Sequence, residues 1–164
     1  MTLIRVLFVC TGNTCRSPMA EALLRAKLEK TGAAAAVNVS SAGIAAWGGQ
    51  SASPEAIEVM SGKRISSIAT HRSRQVSAAQ ITDSDLVLTM TRVHQEKLKK
   101  CFPDHSDKIF LLSEYAGAAE DIADPAGGSL AEYEMCAEEL DHLIEIAVRK
   151  ILAPAGKNPE NGEK

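Results

Sequence analysis

Eight consecutive residues, Cys10-Thr11-Gly12-Asn13-Thr14-Cys15-Arg16-Ser17, set a potential nucleophile and a planar cation apart by five intervening residues. A cysteine thiolate attacks electrophilic centres, and a guanidinium fork matches two oxygens of a phosphoryl group. Gly12 is expected to allow a backbone turn that side chains would obstruct, and Asn13 is among the few non-glycine residues that tolerate left-handed geometry. Together they can aim successive N–H groups inward as a concave anion nest. A helix opening at Ser17 would add the positive end of its dipole. Within that field the Cys10 pKa is expected to fall from about 8.5 toward the range of about 3.5–7.5 found for activated cysteines. Ser17 can donate a hydrogen bond to the sulfur and ease its departure from a thiophosphate. The chemistry implied is phosphoryl transfer to sulfur and then to water. The bland alternative is a buried strand-end cysteine beside a chance arginine. The Gly-Asn pair, and the placing of the loop between a strand and a helix, weigh against it.

The loop needs elements to hold it. Residues 3–9 are rich in Leu, Val, Ile and Phe, the pattern of a strand buried on both faces. Ser17-Pro18 opens a helix, with Ser17 as cap and Glu21 supporting its positive end. Ala20, Leu23, Leu24, Ala26 and Leu28 form its buried face, and Gly32 ends it. Residues 37–41 read as a second strand, Ser53 begins a helix that stops near Gly62, and 85–90 read as a third strand. Residues 92–100 are expected to be helical, 108–112 a fourth strand, and Ser129 to about Leu152 a long helix. This alternation specifies an α/β fold, a small four-stranded parallel sheet flanked by helices on both faces. Ligands bind such sheets at the C-terminal strand ends where strand order reverses, and the first strand ends at Cys10.

The chain has 164 residues, 45% hydrophobic and 24% charged, the composition of one globular domain. Residues 1–152 are expected to form it, and the polar tail 153–164 to be disordered. A net charge of −3 excludes a general polyanion binder, so no nucleic-acid partner is expected. No run approaches the roughly 18 apolar residues of a membrane helix, and residues 1–9 are too short for a signal peptide. A cytoplasmic protein without a membrane partner is the expectation. The four cysteines, Cys10, Cys15, Cys101 and Cys136, lack zinc-site spacing and are expected to be thiols.

The run from Val9 to Glu21 resembles the start of the low-molecular-weight protein tyrosine phosphatases, a family that includes bacterial protein-arginine phosphatases. The resemblance continues through Ser41-Ala42-Gly43, His71-Arg72-Ser73-Arg74-Gln75, Asp85-Leu86-Val87-Leu88-Thr89-Met90 and Asp124-Pro125, covering about residues 3–152. It implies a flavodoxin-like three-layer fold, no metal, no cofactor and a phosphocysteine intermediate. Residue by residue, it implies that Cys10 is the nucleophile, Arg16 the phosphate ligand and Asp124 the general acid. It also implies that Ser17, Ser41 and His71 support Asn13, and that Cys15 can pair reversibly with Cys10 in a disulfide. The substrates implied are phosphorylated proteins, with phosphate or a similar oxyanion bound in the site.

An acid must protonate the leaving atom of a phosphate ester or phosphoramidate. Asp124-Pro125 lies in a loop taken to be flexible, with Asp121 as the decoy. Thr14 stands where tyrosine phosphatases of this family usually carry a larger aliphatic residue; the arginine phosphatases resemble this chain in having threonine. A hydroxyl there makes the pocket wall polar enough for a guanidinium. Ala126 and Gly127 follow the Asp-Pro, where aromatic residues are common in the family, so Ala126 leaves that wall open. Trp47 is a candidate for the opposite wall, with partial burial in packing as the alternative. The favoured substrate is phosphoarginine in proteins, with phosphotyrosine the alternative. Arsenate reduction would need further closely spaced cysteines, which Cys101 and Cys136 do not supply. A non-catalytic phosphate-binding module would need neither Cys10 nor Asp124.

Overall fold

The computed structural model describes residues 2–153; the remainder of the expected tail, from Pro154 on, lies outside the described residues. The chain runs β1 (Ile4–Cys10), α1 (Arg16–Lys30), β2 (Val37–Gly43), α2 (Pro54–Gly62), α3 (Ala78–Asp83), β3 (Leu86–Thr89), α4 (Arg92–Cys101), β4 (Ile109–Leu111), α5 (Leu112–Tyr115) and α6 (Leu130–Ile151). The four strands form one parallel sheet in the order β2-β1-β3-β4. β1 is central, and its side chains divide by the period of two. Val6, Phe8 and Cys10 join the larger core with α1, α2 and α6, whereas Leu7 and Val9 join Ile81, Leu98 and Ile109 on the other face. Because both faces are covered, β1 could not be a half-polar strand. The strand order reverses between β1 and β3, so the loop after β1 opens at the switch point of the sheet.

The four strands and the long helices fall where the sequence places them, with ends shifted by a residue or two. The pairing Cys10↔Gly43 extends β2 beyond the expected Ser41. Two elements were not expected from the sequence, α3 and α5, of 6 and 4 residues. α3 is held by a reciprocal box in which Gln80 donates its backbone N–H to the Ser77 hydroxyl and its side-chain oxygen accepts from the Ser77 N–H. α2 and α6 start at Ser53 and Ser129, whose hydroxyls accept from Ala56 and Glu132 as expected of capping serines.

The start of α1 departs from expectation. Its cap is Cys15, whose side chain makes no capping hydrogen bond, and Ser17 is already helical. Ser17 is fully buried and its hydroxyl serves the loop instead of the helix end. Glu21 is likewise buried and turned to β2, not placed at the helix terminus, and Ala26 is only partly covered.

Candidate active site

β1 delivers Cys10 to the rim of the sheet, and the loop returns at once into α1. Asn13 takes φ 58°, the left-handed conformation its residue type tolerates. Such a backbone persists only when its surroundings hold it. Its side-chain nitrogen donates to Ser17 Oγ (2.8 Å) and Ser41 Oγ (3.0 Å), and its Oδ1 accepts from the Arg74 N–H (3.0 Å). Its carbonyl lies 2.8 Å from His71 Nε2. Ser17, Ser41 and His71 are thus gathered around one residue. A further partner is Glu21: it accepts from Ser41 Oγ (3.3 Å), lies 3.7 Å from His71 Nδ1 and pairs with Arg25. The signal for Glu21 was its place one helical turn after Ser17, on the same face.

Gly12 departs from expectation, because it does not take a positive φ. A Cβ there would meet only Thr14 Oγ1, at 3.8 Å. Nothing among the described residues demands glycine at this point of the loop. Gly43 is the glycine the loop does demand. A Cβ on it would fall 2.5 Å from the Thr11 carbonyl oxygen and 3.1 Å from the Asn13 nitrogen. Ile44 and Ala45 then donate their N–H groups to the carbonyls of Cys10 and Thr11, so the end of β2 lies along the loop.

The Cys10 sulfur lies 2.8 Å from Ser17 Oγ. The side chain is buried, and this burial pushes the thiol above its ordinary pKa. The Ser17 hydroxyl and N–H, the Arg16 charge and the Asn13 N–H act the other way without overcoming it. The expected lowering is therefore not met in this arrangement. One physical reason is that Arg16 is engaged elsewhere. Its Nη1 donates to the Ile122 carbonyl (2.9 Å), and its Nη2 lies 3.5 Å from Asp124 Oδ2 and 3.4 Å from Thr11 Oγ1.

Those contacts pin the loop that carries Asp124. Ile122 is fully buried and donates its N–H to the Met90 carbonyl at the end of β3. The loop is thus anchored, where the sequence suggested a free one. The Asp124 carboxyl itself stays half exposed, its Oδ1 accepting from the Ala126 N–H. Asp121 faces away and accepts from the first N–H of α4, at Arg92. Asp124 and Arg16 are therefore neighbours, and Asp121 has a capping task of its own.

Thr14 is partly exposed, with its Oγ1 3.6 Å from the Cys15 sulfur. Cys15 points the other way, 3.3 Å from Tyr133 Oη on α6 and 3.6 Å from Ser53 Oγ. Burial, then the Cys15 contact, holds the Tyr133 hydroxyl above its ordinary pKa. All four cysteines are free thiols. Trp47 is 78% exposed on the segment that continues from the loop-lining Ala45, which removes the alternative of a packed indole. Ala126 is exposed beside Asp124. His94, which carries no motif in the sequence, is buried with Nε2 2.8 Å from Thr11 Oγ1. Its signal was its place in the first turn after β3, the strand beside the switch point.

A thiol at the floor of an amide-lined loop, an arginine one turn away and a carboxylate on that arginine can bind and cleave a phosphoryl group. Comparison with known proteins agrees. The family model described as low molecular weight phosphotyrosine protein phosphatase matches residues 5–158. The chain is 41% identical to the protein-arginine-phosphatase of Bacillus subtilis, over 85% of this chain and 91% of that one. It is 40% identical to the low molecular weight protein-tyrosine-phosphatase PtpB of Staphylococcus haemolyticus, over 86% and 95%. A solved YwlE arginine phosphatase, a cysteine-to-serine mutant with a phosphorylated active-site serine, superposes with a TM-score of 0.88 at 37% identity, covering 93% of this chain and 98% of that one. With the loop, the sheet order and the full-length match in agreement, this chain belongs to the low molecular weight phosphotyrosine protein phosphatase family.

Proposed function

We propose that this phosphatase removes phosphate from phosphoarginine in proteins, with Cys10 as nucleophile, Arg16 as phosphate ligand and Asp124 as general acid and then base. Arg16 turns its two-pronged donor to the equatorial phosphoryl oxygens, joined by the loop amides. The Cys10 thiolate attacks phosphorus as the bond to the guanidino nitrogen breaks, and Asp124 gives its proton to that nitrogen. The product is a thiophosphate on Cys10 and a free arginine side chain. Asp124, now a carboxylate, takes a proton from water, whose oxygen attacks phosphorus and releases phosphate and the thiolate. Ser17 steadies the departing sulfur from 2.8 Å. The phosphorylated active-site serine of the YwlE mutant supports a covalent intermediate at this position.

The observation that carries the choice of arginine is Thr14: a hydroxyl, on the loop that holds Cys10, where an aliphatic wall would suit a phenyl ring. Once it has given up its proton, the half-exposed Asp124 carboxylate also offers the released guanidinium an ionic partner. Ser41 and His71 keep the loop in shape through Asn13, Trp47 and Ala126 border the pocket, and Cys15 is the resolving thiol if Cys10 is oxidised. The site uses no metal or cofactor. Four free thiols suit the reducing cytoplasm, where we place the protein and its phosphoprotein substrates.

The test compares kcat/KM for a phosphoarginine and a phosphotyrosine peptide in the wild type and in Thr14→Ile. Phosphoarginine is expected to lead by about tenfold or more in the wild type, and Thr14→Ile to reverse the order, as one buried contact is worth about 10–200-fold in discrimination. A wild type that prefers phosphotyrosine makes this a tyrosine phosphatase with an open pocket.

A further inference from the structure

Thr11 and His94 lie against the reacting groups, and the chemical steps above use neither. Thr11 Oγ1 is 2.8 Å from His94 Nε2 and 3.4 Å from Arg16 Nη2, and Nη2 in turn lies 3.5 Å from Asp124 Oδ2. His94 is 3% exposed, and its Nδ1 has no hydrogen-bond partner among the described residues. Its own backbone N–H donates to the Thr91 hydroxyl at the start of α4, which fixes the imidazole's approach to the loop.

A neutral imidazole carries one ring proton, and its position decides the network. Placed on Nδ1, the proton would be a buried donor without an acceptor, a rare and costly arrangement. Placed on Nε2, it is donated to Thr11 Oγ1, and Nδ1 keeps an unshared lone pair. Burial, followed by the Arg16 charge, pushes the His94 pKa down to about 4, so the ring is neutral near pH 7. Arg16 can only donate. Thr11 Oγ1 then receives two hydrogen bonds, one into each lone pair, and its own proton must point away from both donors.

We propose that His94 is a positioning residue for phosphoryl transfer: it donates from Nε2 to Thr11 Oγ1, and so turns the Thr11 hydroxyl proton toward the phosphoryl oxygens that Arg16 binds. Thr11 is exposed at the mouth of the loop, where that proton meets substrate and no acceptor among the described residues competes for it. The hydroxyl becomes a fixed donor beside Nη2, the guanidinium nitrogen that also faces Asp124. A preorganised donor aimed at developing charge acts on the transition state more than on the ground state.

The proposal rests on the catalytic roles assigned above, and its test separates the two. Using p-nitrophenyl phosphate at pH 7, kcat and KM are measured for wild type, Cys10→Ser, Thr11→Val, Thr11→Ser, His94→Leu, His94→Gln and the double variant His94→Leu/Thr11→Val. Thr11→Val and His94→Leu should each lower kcat about tenfold with little change in KM, the loss expected when one transition-state donor is weakened. The double variant should lose no more than about tenfold, because both changes cut the same link. Thr11→Ser and His94→Gln retain a hydroxyl and an amide donor and should stay within about threefold of wild type. Losses that multiply in the double variant, or a Thr11→Val enzyme with wild-type kcat, overturn the proposal; the exposed Thr11 site keeps that second outcome readable even if His94→Leu misfolds. Activity that survives Cys10→Ser sinks the catalytic assignment itself.

Discussion

Cys10 faces two opposing influences at atomic range. Burial at the floor of the loop favours the neutral thiol, while Ser17 offers its hydroxyl at 2.8 Å and its N–H to the ionised form. Among the groups that favour the thiolate, the Ser17 hydroxyl is the largest contributor, ahead of the Arg16 charge. Deleting that hydroxyl leaves burial less opposed, so the sign of the effect is fixed: the thiol becomes harder to ionise. Ser17→Ala should move the pH midpoint of Cys10 alkylation by iodoacetamide upward by about one unit, as a hydrogen bond to a charged group is worth about 1.5–3 kcal/mol and one unit is about 1.4. The labelled Cys10 peptide has to be followed by mass spectrometry, because exposed Cys101 also reacts, whereas Cys136 is pushed up to about 12 by burial. An unchanged or lower midpoint would show that Ser17 does not stabilise the thiolate.

At the scale of elements, the loop is shaped by what it packs against more than by its own residues. Asn13 is tied to α1 through Ser17, to β2 through Ser41, and to the segment after α2 through His71 and Arg74. The end of β2 closes on the loop so tightly that Gly43 has no room for a methyl group. Gly43→Ala must therefore push the Thr11 carbonyl and the Asn13 amide outward, displacing the nest relative to Arg16. An overpacked methyl typically costs about 1–3 kcal/mol, and small misplacement of a reacting geometry costs about a hundredfold in rate. The expected result is a drop of about that size in kcat/KM for p-nitrophenyl phosphate, with a melting temperature lower by a few degrees. A Gly43→Ala enzyme within twofold of wild type would mean that the loop tolerates the shift. Ser41-Ala42-Gly43 was readable in the sequence as part of a family pattern. The reason for its glycine was not, because the collision joins residues that meet only once β1 and β2 pair.

Over the whole molecule the same division holds between what is local and what is not. The buried run before Cys10, the capping serines Ser53 and Ser129 and the repeat of apolar residues along α6 are local signals, and they sufficed for the strand and helix order. α3 and α5 escaped because helices that short hold less than two turns of periodicity. Spacing and resemblance point to Cys10, Arg16 and Asp124, and the fold sets Arg16 near both of the others. His94 was not legible, since periodicity tells which face of α4 is buried but not which residue touches the loop. Lys27 is another such case, a charge that joins two distant helices. Its Nζ lies 2.8 Å from both Asp141 Oδ1 and Glu145 Oε2, tying α1 to α6 across the larger core. The lysine is held above its ordinary 10.5, with desolvation outweighed by its two carboxylates, and Glu145 is held below its ordinary 4.5 by Lys27. The raised lysine contributes stability that is present below its unfolded pKa and lost as pH rises through the folded one. The lowered Glu145 contributes stability present above its unfolded pKa and lost as pH falls through the folded one. Both carboxylates are about half exposed, so water screens the pair, and Lys27→Met should cost only about 0.5–1 kcal/mol near pH 7. That difference, read from urea unfolding, should be full between the ordinary glutamate and lysine values of 4.5 and 10.5, and shrink as the pH falls below the first or rises above the second. A cost too small to measure at every pH would assign the role of Lys27 to its methylene stem, most of which methionine keeps, and the contact between α1 and α6 would then be an apolar seam with an incidental charge at its edge.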